Sequence, residues 1–319
     1  MKNYRIELKC TGPITQPADS QKIFGALVTK LSKEKGAEEA SRLVKAVKDG
    51  QIHFALSNLM PLGYLPVPQD YIVRKLADDV NLKELRAEIK KRAYVRLCDL
   101  ETILDDPRQA VSKYPYIKIS DGQQLRASLE SNQYGFDGME AKLFTVPVSV
   151  LQEIKEKEEK GKPVSEFCFY LQTDNEQALS CILDTAESLM RSEIPLILGK
   201  RSSQGLNKYY ITHLEKIILP KYDSNKYLNL GMLLPDKIDY KTSVLKLFTS
   251  ERRPFSMPGG WNQTFQKKFI SFIDCGSVIS LEDGIKHAGK CVESPFIQSR
   301  DIVFGNAFLY PISLKGDTK

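Results

Sequence analysis

Apolar and polar positions alternate from the start of the chain. Tyr4, Ile6 and Leu8 are separated by Arg5, Glu7 and Lys9, the two-residue period of a strand with one buried face, so residues 3 to 10 are predicted as β. Gly12, Pro13 and Pro17 break the pattern. Asp19 or Ser20 then caps a helix whose Ile23, Phe24, Leu27, Val28 and Leu31 share one face, and a second helical piece runs from Ala37 to Val47 after Gly36. A similar order returns late. Phe167 to Gln172 reads as a strand, Asp174 or Asn175 caps a helix with Leu179, Ile182, Leu183, Ala186, Leu189 and Met190 on one face, Pro195 closes it, and Tyr209 to Ile218 is a second strand rich in aromatic and β-branched residues. The two stretches are the halves of a split βαβ, or ferredoxin-like, unit with a long insertion between them.

Between the last helix and the last strand of that unit lies LILGKRSSQGLNKYYI, Leu196 to Ile211. Gly199 and Gly205 allow positive φ and close backbone approach, so successive N–H groups can turn toward an anion. Lys200, Arg201 and Lys208 add positive charge, and Ser202 and Ser203 add hydroxyl donors. This is the pattern of a phosphate-holding loop. The same residues also suit a solvated turn.

The remaining elements are shorter. YLNLGMLLPD (227 to 236) opens a second unit, and KKFISFIDCGSVISL (267 to 281) is an apolar strand bent at Gly276 and Ser277, where another backbone approaches. FGNAFLYPISL (304 to 314) is the last strand, confined to an edge or bulged position by Gly305 and Pro311.

Composition narrows the class. The chain has 319 residues, 42% of them apolar and 27% charged, with 16 prolines, which describes a globular protein of one large or two ordinary domains. No apolar run reaches the length of a membrane span and residues 1 to 30 lack a signal-peptide core, so no membrane association is expected and the cytoplasm is the default. Cys10, Cys98, Cys168, Cys181, Cys275 and Cys291 are scattered without ligand spacing, which disfavours a zinc site or a disulfide framework; they read as small buried hydrophobes, Cys168 and Cys181 most clearly.

Net charge is +6, modest for the length, so its distribution decides more than its sum. Residues 83 to 96 carry net +4 and residues 241 to 268 net +5, whereas QEIKEKEEKGK (152 to 162) is balanced and reads as a solvated helix end or linker. The basic segments could be solvated faces. Interleaved Tyr94, Phe248, Phe255, Trp261 and Phe265 also suit single-stranded nucleic acid, whose bases stack on such rings.

Four segments in fixed order, QKIFGAL (21 to 27), SNLMPLGYLPVPQ (57 to 69), LGKRSSQGLNKYYI and RDIVFGNAFLYPI (300 to 312), are similar to signatures of one family. On them the whole chain resembles the RAMP superfamily of CRISPR proteins, and within it the fourth Csm subunits of type III-A interference complexes, which cap the 5′ end of the guide RNA. The loop departs from the family pattern: Leu198 replaces a first glycine, Gln204 is inserted, and Asn207 stands where a last glycine belongs. Asn tolerates positive φ next best after Gly, so the loop shape is expected to survive.

The resemblance implies an α+β chain of two ferredoxin-like (RRM-like) domains: residues 1–218, with a β-hairpin thumb and connecting helix inserted at about 105–165, and residues 219–319. It implies a non-catalytic subunit without a cofactor. Its partners would be the crRNA 5′ tag, the large polymerase/cyclase-like Csm subunit, a backbone RAMP subunit, and target RNA near the thumb. The tag phosphates would be held by Gly199, Lys200, Arg201, Ser202, Ser203, Gly205 and Lys208, with Arg252, Arg253, Lys267, Lys268, Gly276 and Ser277 across a cleft. Sequence preference would fall to the Phe255 to Phe269 region. Residues 105 to 150 carry net −1, so the thumb would act by shape through Tyr114, Tyr116, Tyr134, Phe136 and Met139.

Catalysis is the competing class. Of three histidines, His53 lies just after the first helical region, where some RAMP relatives place a guide-processing base. No second acid or base accompanies it, and QIHFALSNLM reads as a half-buried strand or turn. Asp19, whose position relates to the target-cutting aspartate of backbone subunits, is explained by N-capping. Alternatives are a metal-independent endoribonuclease centred on His53 and the equivalent cap subunit of a type III-B complex.

Overall fold

The computed structural model describes residues 1–128, 142–157, 160–252, 268–282, 284–285, 287–294 and 302–314. In chain order its elements are β1 (Lys2–Cys10), α1 (Ser20–Lys35), α2 (Ala37–Lys48), β2 (Phe54–Leu56), β3 (Met60–Pro61), β4 (Tyr64–Pro66), α3 (Gln69–Lys75), α4 (Leu82–Lys91), β5 (Tyr94–Arg96) and α5 (Leu97–Asp105). There follow β6 (Tyr116–Ser128), β7 (Lys142–Ile154), β8 (Lys162–Pro163), β9 (Glu166–Thr173), α6 (Glu176–Arg191), β10 (Leu196–Ile197) and β11 (Lys208–Ile217). The last strands are β12 (Lys226–Asn229), β13 (Leu247–Arg252), β14 (Lys268–Ile273), β15 (Val278–Ser280), β16 (Val292–Glu293), β17 (Ile302–Val303) and β18 (Leu309–Pro311). No helix among the described residues is long and apolar enough to cross a membrane.

The first sheet runs β10-β11-β1-β9-β2, with β3 also paired to β9. Every pairing in it is antiparallel. With α1 after β1 and α6 after β9, the strands β11, β1, β9 and β2 stand in the order of a ferredoxin-like unit. β1 is the middle strand, and its Ile6 and Leu8, both 1% exposed, share a core with the apolar residues of α1 and α6. Asp19 accepts from the Lys22 N–H and Asn175 from the Ala178 N–H, so both helices start on the predicted caps. Their buried faces are the apolar stripes legible in the sequence: Ile23, Phe24, Leu27 and Leu31 in α1, and Leu179, Ile182, Ala186 and Leu189 in α6.

The insertion between β2 and β9 builds a second sheet, β4-β5-β6-β7-β8. Its dominant feature is the hairpin of β6 and β7, paired from Tyr116↔Ile154 to Ser128↔Lys142. Two expectations are corrected here. The described residues of 152 to 162 do not end a helix: Gln152 and Glu153 belong to β7 and pair with Pro163 and Lys162 of β8. The basic run 83 to 96 is not wholly a nucleic-acid face either, because Arg92 is 1% exposed and Tyr94 8% exposed.

Arg92 donates to the carbonyls of Val111, at 2.5 Å, and Lys113, and its guanidinium lies 4.0 Å from the Tyr116 ring centroid and 4.7 Å from that of Tyr114. Carbonyl dipoles and ring faces compensate the buried charge. Tyr114 and Tyr116 therefore brace the hairpin base, and Tyr116, 8% exposed, is not free to act as a thumb contact as expected. Tyr134, Phe136 and Met139 lie outside the described residues.

Among the described residues from 219 onward there are strands and loops but no helix, so only sheet answers to the second ferredoxin-like unit expected there. β18 is an edge of the sheet β15-β12-β18, as Pro311 requires. The apolar run around Gly276 splits between β14, paired with β13, and β15, paired with β12. A Cβ on Gly276 would lie 3.1 Å from the Val67 carbonyl oxygen, the close approach anticipated there.

This part shares a core with the first sheet. The Phe304 ring stacks on Phe24 with centroids 4.4 Å apart, meets Phe54 edge-on at 6.5 Å, and is 0% exposed. Phe308 packs against Tyr170 at 5.3 Å, and the Met232 N–H donates to the buried Ser20 hydroxyl. Phe304→Ala should therefore cost about 3–5 kcal/mol in denaturant unfolding. A loss below about 1 kcal/mol would mean that the two parts fold without this contact.

Candidate nucleic-acid interface

The glycine loop folds around one side chain. Asn207 takes φ +56, the left-handed conformation expected of it, and is 0% exposed. Its Oδ1 accepts from the Thr15 N–H at 3.0 Å, and its Nδ2 donates to Thr15 Oγ1 at 2.9 Å and to the Lys200 carbonyl at 2.8 Å. Its backbone N–H reaches the Pro13 carbonyl, and its own carbonyl accepts from Leu198. The loop is thereby fastened to the segment that leaves β1.

Two glycines permit the approach. A Cβ on Gly199 would lie 2.6 Å from Asn207 Nδ2, and one on Gly12 only 2.1 Å from the Gly205 carbonyl oxygen. Leu198, where the family pattern has glycine, is 1% exposed and belongs to the core.

This geometry sorts the loop's donors. The N–H groups of Gln204 and Leu206 bond the Arg201 carbonyl, and that of Gly205 bonds the Ser202 carbonyl. The N–H groups of Gly199 to Ser203 meet no acceptor among the described residues. Arg201 itself takes φ +63, so the chain turns sharply where the cationic residues stand.

Beside the loop is a groove of about 910 Å³, floored by Gly25 and Ala26 and lined by Lys22, Lys30, Lys33, Lys200 and Arg201. None of its lining residues is acidic; Asp19, the α1 cap, reaches Lys22 from outside at 3.3 Å. Burial, and after it the charge of Lys33, pushes the Lys30 ammonium below its ordinary pKa. Such a groove favours an anion strongly. The α1 lysines escaped the sequence reading, which followed only the apolar stripe. Their signal was present: Lys22, Lys30 and Lys33 recur around Gly25, Ala26 and Thr29 along one flank of the same helix.

The hairpin forms the far side of this site. The Ser149 N–H donates to the Ile14 carbonyl at 2.7 Å, Arg126 Nη1 lies 3.2 Å from the Gln204 carbonyl, and Pro147 lines the groove.

Of the other proposed ligands, Gly276 and Ser277 are held within the C-terminal sheets. Lys208 pairs with Ile197 at the loop's exit. Gly276 is a turn residue, and Ser277, 2% exposed, donates to the Asp274 carbonyl and accepts from the Lys246 N–H, so its hydroxyl is engaged within the fold. Arg252 and Lys268 pair at the end of β13 and β14, while Arg253, Lys267 and most of the Phe255 to Phe269 region lie outside the described residues. Phe248 and Phe269, 41% and 63% exposed, flank that segment.

A second groove, about 850 Å³, is of different character: Leu97, Ile218, Pro220 and Tyr310 line it with one cation, Arg96, against two carboxylates, Glu101 and Glu153. Tyr64 donates to Glu153 at 2.5 Å and Tyr222 to Glu101, and burial together with Glu153 lifts the Tyr64 phenol to about 12. Its carboxylates disfavour a polyanion.

His53 precedes β2, with Nε2 3.1 Å from Gln172 Oε1 and its ring 4.5 Å from that of His287. Burial and then His287 lower its pKa to about 4. At neutral pH it is an uncharged, weak base.

No protein-family model matches the chain, and no curated protein sequence matches it. Solved structures do. One chain of a Csm1–Csm4 cassette in complex with cA4 aligns over 98% of this chain and 99% of its own length, at 15% identity and a TM-score of 0.57. The cassette in complex with AMPPNP gives 16% identity, 98% and 99% coverage and a TM-score of 0.53. A Csm3–Csm4 subcomplex of the type III-A CRISPR–Cas interference complex gives 14%, 98% and 100%, and 0.51. The chain has the fold of these chains of type III-A Csm assemblies. Within that fold, Asn207 supplies the buried anchor of the loop.

Asn207→Ala loses the anchoring bonds and also strains a positive φ, whereas Asn207→Gly loses only the bonds. The Ala variant should be the less stable of the two by about 1 kcal/mol in denaturant unfolding. Equal stabilities would show that φ at this position carries no cost.

Proposed function

We propose that the chain is a non-catalytic, RNA-binding subunit of a type III-A CRISPR interference complex. It holds the 5′ tag of the crRNA and caps the assembly, with the large Csm1-type subunit and a Csm3-type backbone subunit as partners. The observation that carries this reading is the cationic groove beside the backbone N–H groups of Gly199 to Ser203, which meet no acceptor among the described residues, in a fold matched along nearly its whole length to chains of Csm assemblies.

Phosphates along the groove would meet Lys22, Lys30 and Lys33 on one wall and the loop's N–H groups, Lys200 and Arg201 on the other. Contacts of this kind position a strand without reading its sequence. The single-stranded tag fits them better than a duplex does, because a flexible backbone can follow the sharp turn at Arg201. The β6–β7 hairpin rises from the same site, which suits a thumb near the first guide–target pair.

A guide-processing nuclease centred on His53 is not favoured. Its imidazole is bonded to Gln172 and its lowered pKa makes it a poor proton acceptor at neutral pH.

The test is the double change of Lys200 and Arg201 to Ala. Guide-RNA binding should weaken by about 1–3 kcal/mol per lost charged hydrogen bond, and the salt slope should become shallower by about one per lost phosphate contact. Thermal stability should hardly move. Unchanged affinity and salt slope would reduce the loop to a turn.

A further inference from the structure

Two contacts between the glycine loop and the hairpin come from one cross-strand pair. Arg126 of β6 stands opposite Phe144 of β7. Arg126 Nη1 bonds the Gln204 carbonyl at 3.2 Å and its Oε1 at 3.3 Å, while Nε and Nη2 are held by Gln124 Oε1 at 3.2 and 2.9 Å. The Arg201 guanidinium lies 5.9 Å from the centroid of the half-buried Phe144 ring. Gln204, the residue inserted relative to the family pattern, is thus the loop's point of attachment to the hairpin.

A guanidinium presents two surfaces to its surroundings. Its face is attracted to an aromatic ring, and its N–H donors lie in its plane and point outward at the edge. A ring on the face therefore leaves the edge open to a phosphate. It also removes rotamer freedom that a solvated arginine would lose on binding.

We propose that Phe144 is a positioning residue for the anion site: it holds Arg201 by its face so that the guanidinium edge is presented to the groove, and the Arg126–Gln204 clasp keeps loop and hairpin in register. The inference rests on the anion-binding reading of the loop. It adds that RNA affinity depends on a hairpin ring that does not itself touch RNA.

The test is a double-mutant cycle in the full chain, with binding of a labelled single-stranded guide RNA as the readout. Phe144→Leu keeps bulk but removes the ring quadrupole and should weaken binding about two- to five-fold, while Phe144→Trp should preserve or improve it. In an Arg201→Ala background, Phe144→Leu should have no further effect. In the free protein, the Arg201 side-chain NMR signals should lose their ring-current shift in Phe144→Leu, a readout that does not depend on RNA.

Two results would overturn the proposal alone: a Leu variant binding as well as Phe144, or a Phe144→Leu loss of equal size with and without Arg201, which would mean that the ring contacts RNA directly. Unchanged binding in Arg201→Ala by itself would instead remove the anion-site reading on which the inference stands.

Discussion

The buried amide of Asn207 is the constraint on which the site depends. One side chain, excluded from solvent, bonds Thr15 through both its oxygen and its nitrogen and also bonds the Lys200 carbonyl. A buried amide with its partners in place is rigid, and one without them is costly, so the loop has one low-energy path. On that path the N–H groups of Gly199 to Ser203 meet no acceptor among the described residues, and the backbone turns left-handed at Arg201. The glycines permit the arrangement; Asn207 selects it.

α1 links this loop to the fold's stability. Its Phe24 face joins Phe54 and Phe304 in the core shared by the first sheet and the C-terminal strands, while its Lys22, Lys30 and Lys33 flank meets the loop across the groove. The hairpin is braced at its base by Arg92 between two tyrosines and tied near the groove by Ser149 and Arg126. Loop, helix and hairpin thus form one rigid cationic recess. The groove on Leu97, Ile218 and Tyr310 differs in kind, because its tyrosine-bonded carboxylates repel phosphate.

Much of the frame was legible because local signals and tertiary demands agree. The alternation in residues 3 to 10 gave the central strand, Asp19 and Asn175 the helix starts, and Gly276 a close backbone approach. The errors arose where burial overrode charge or composition. Arg92 and Tyr94 sit in a basic, aromatic run that reads as a surface, yet carbonyls and ring faces make an interior place for the cation. The charged run 152 to 162 reads as a solvated helix end or linker, yet pairing with β6 makes its first residues strand. Ser277 followed a glycine as a phosphate-binding serine does, but closes a turn. The α1 lysines share a flank that the sequence displays, but their meaning comes from a loop some 170 residues away, and periodicity within a helix does not reveal what stands opposite that flank.

The most direct measurement is site-specific photocrosslinking of the full chain to a guide RNA carrying 4-thiouridine at successive tag positions, with the attached peptides identified by mass spectrometry. Crosslinks confined to residues 199–203, the Lys22 to Lys33 flank of α1 and the adjoining hairpin are the predicted result. Crosslinks concentrated at Leu97, Ile218 and Tyr310, with none at the loop, would contradict the account, since they would place the strand in a groove whose carboxylates oppose it.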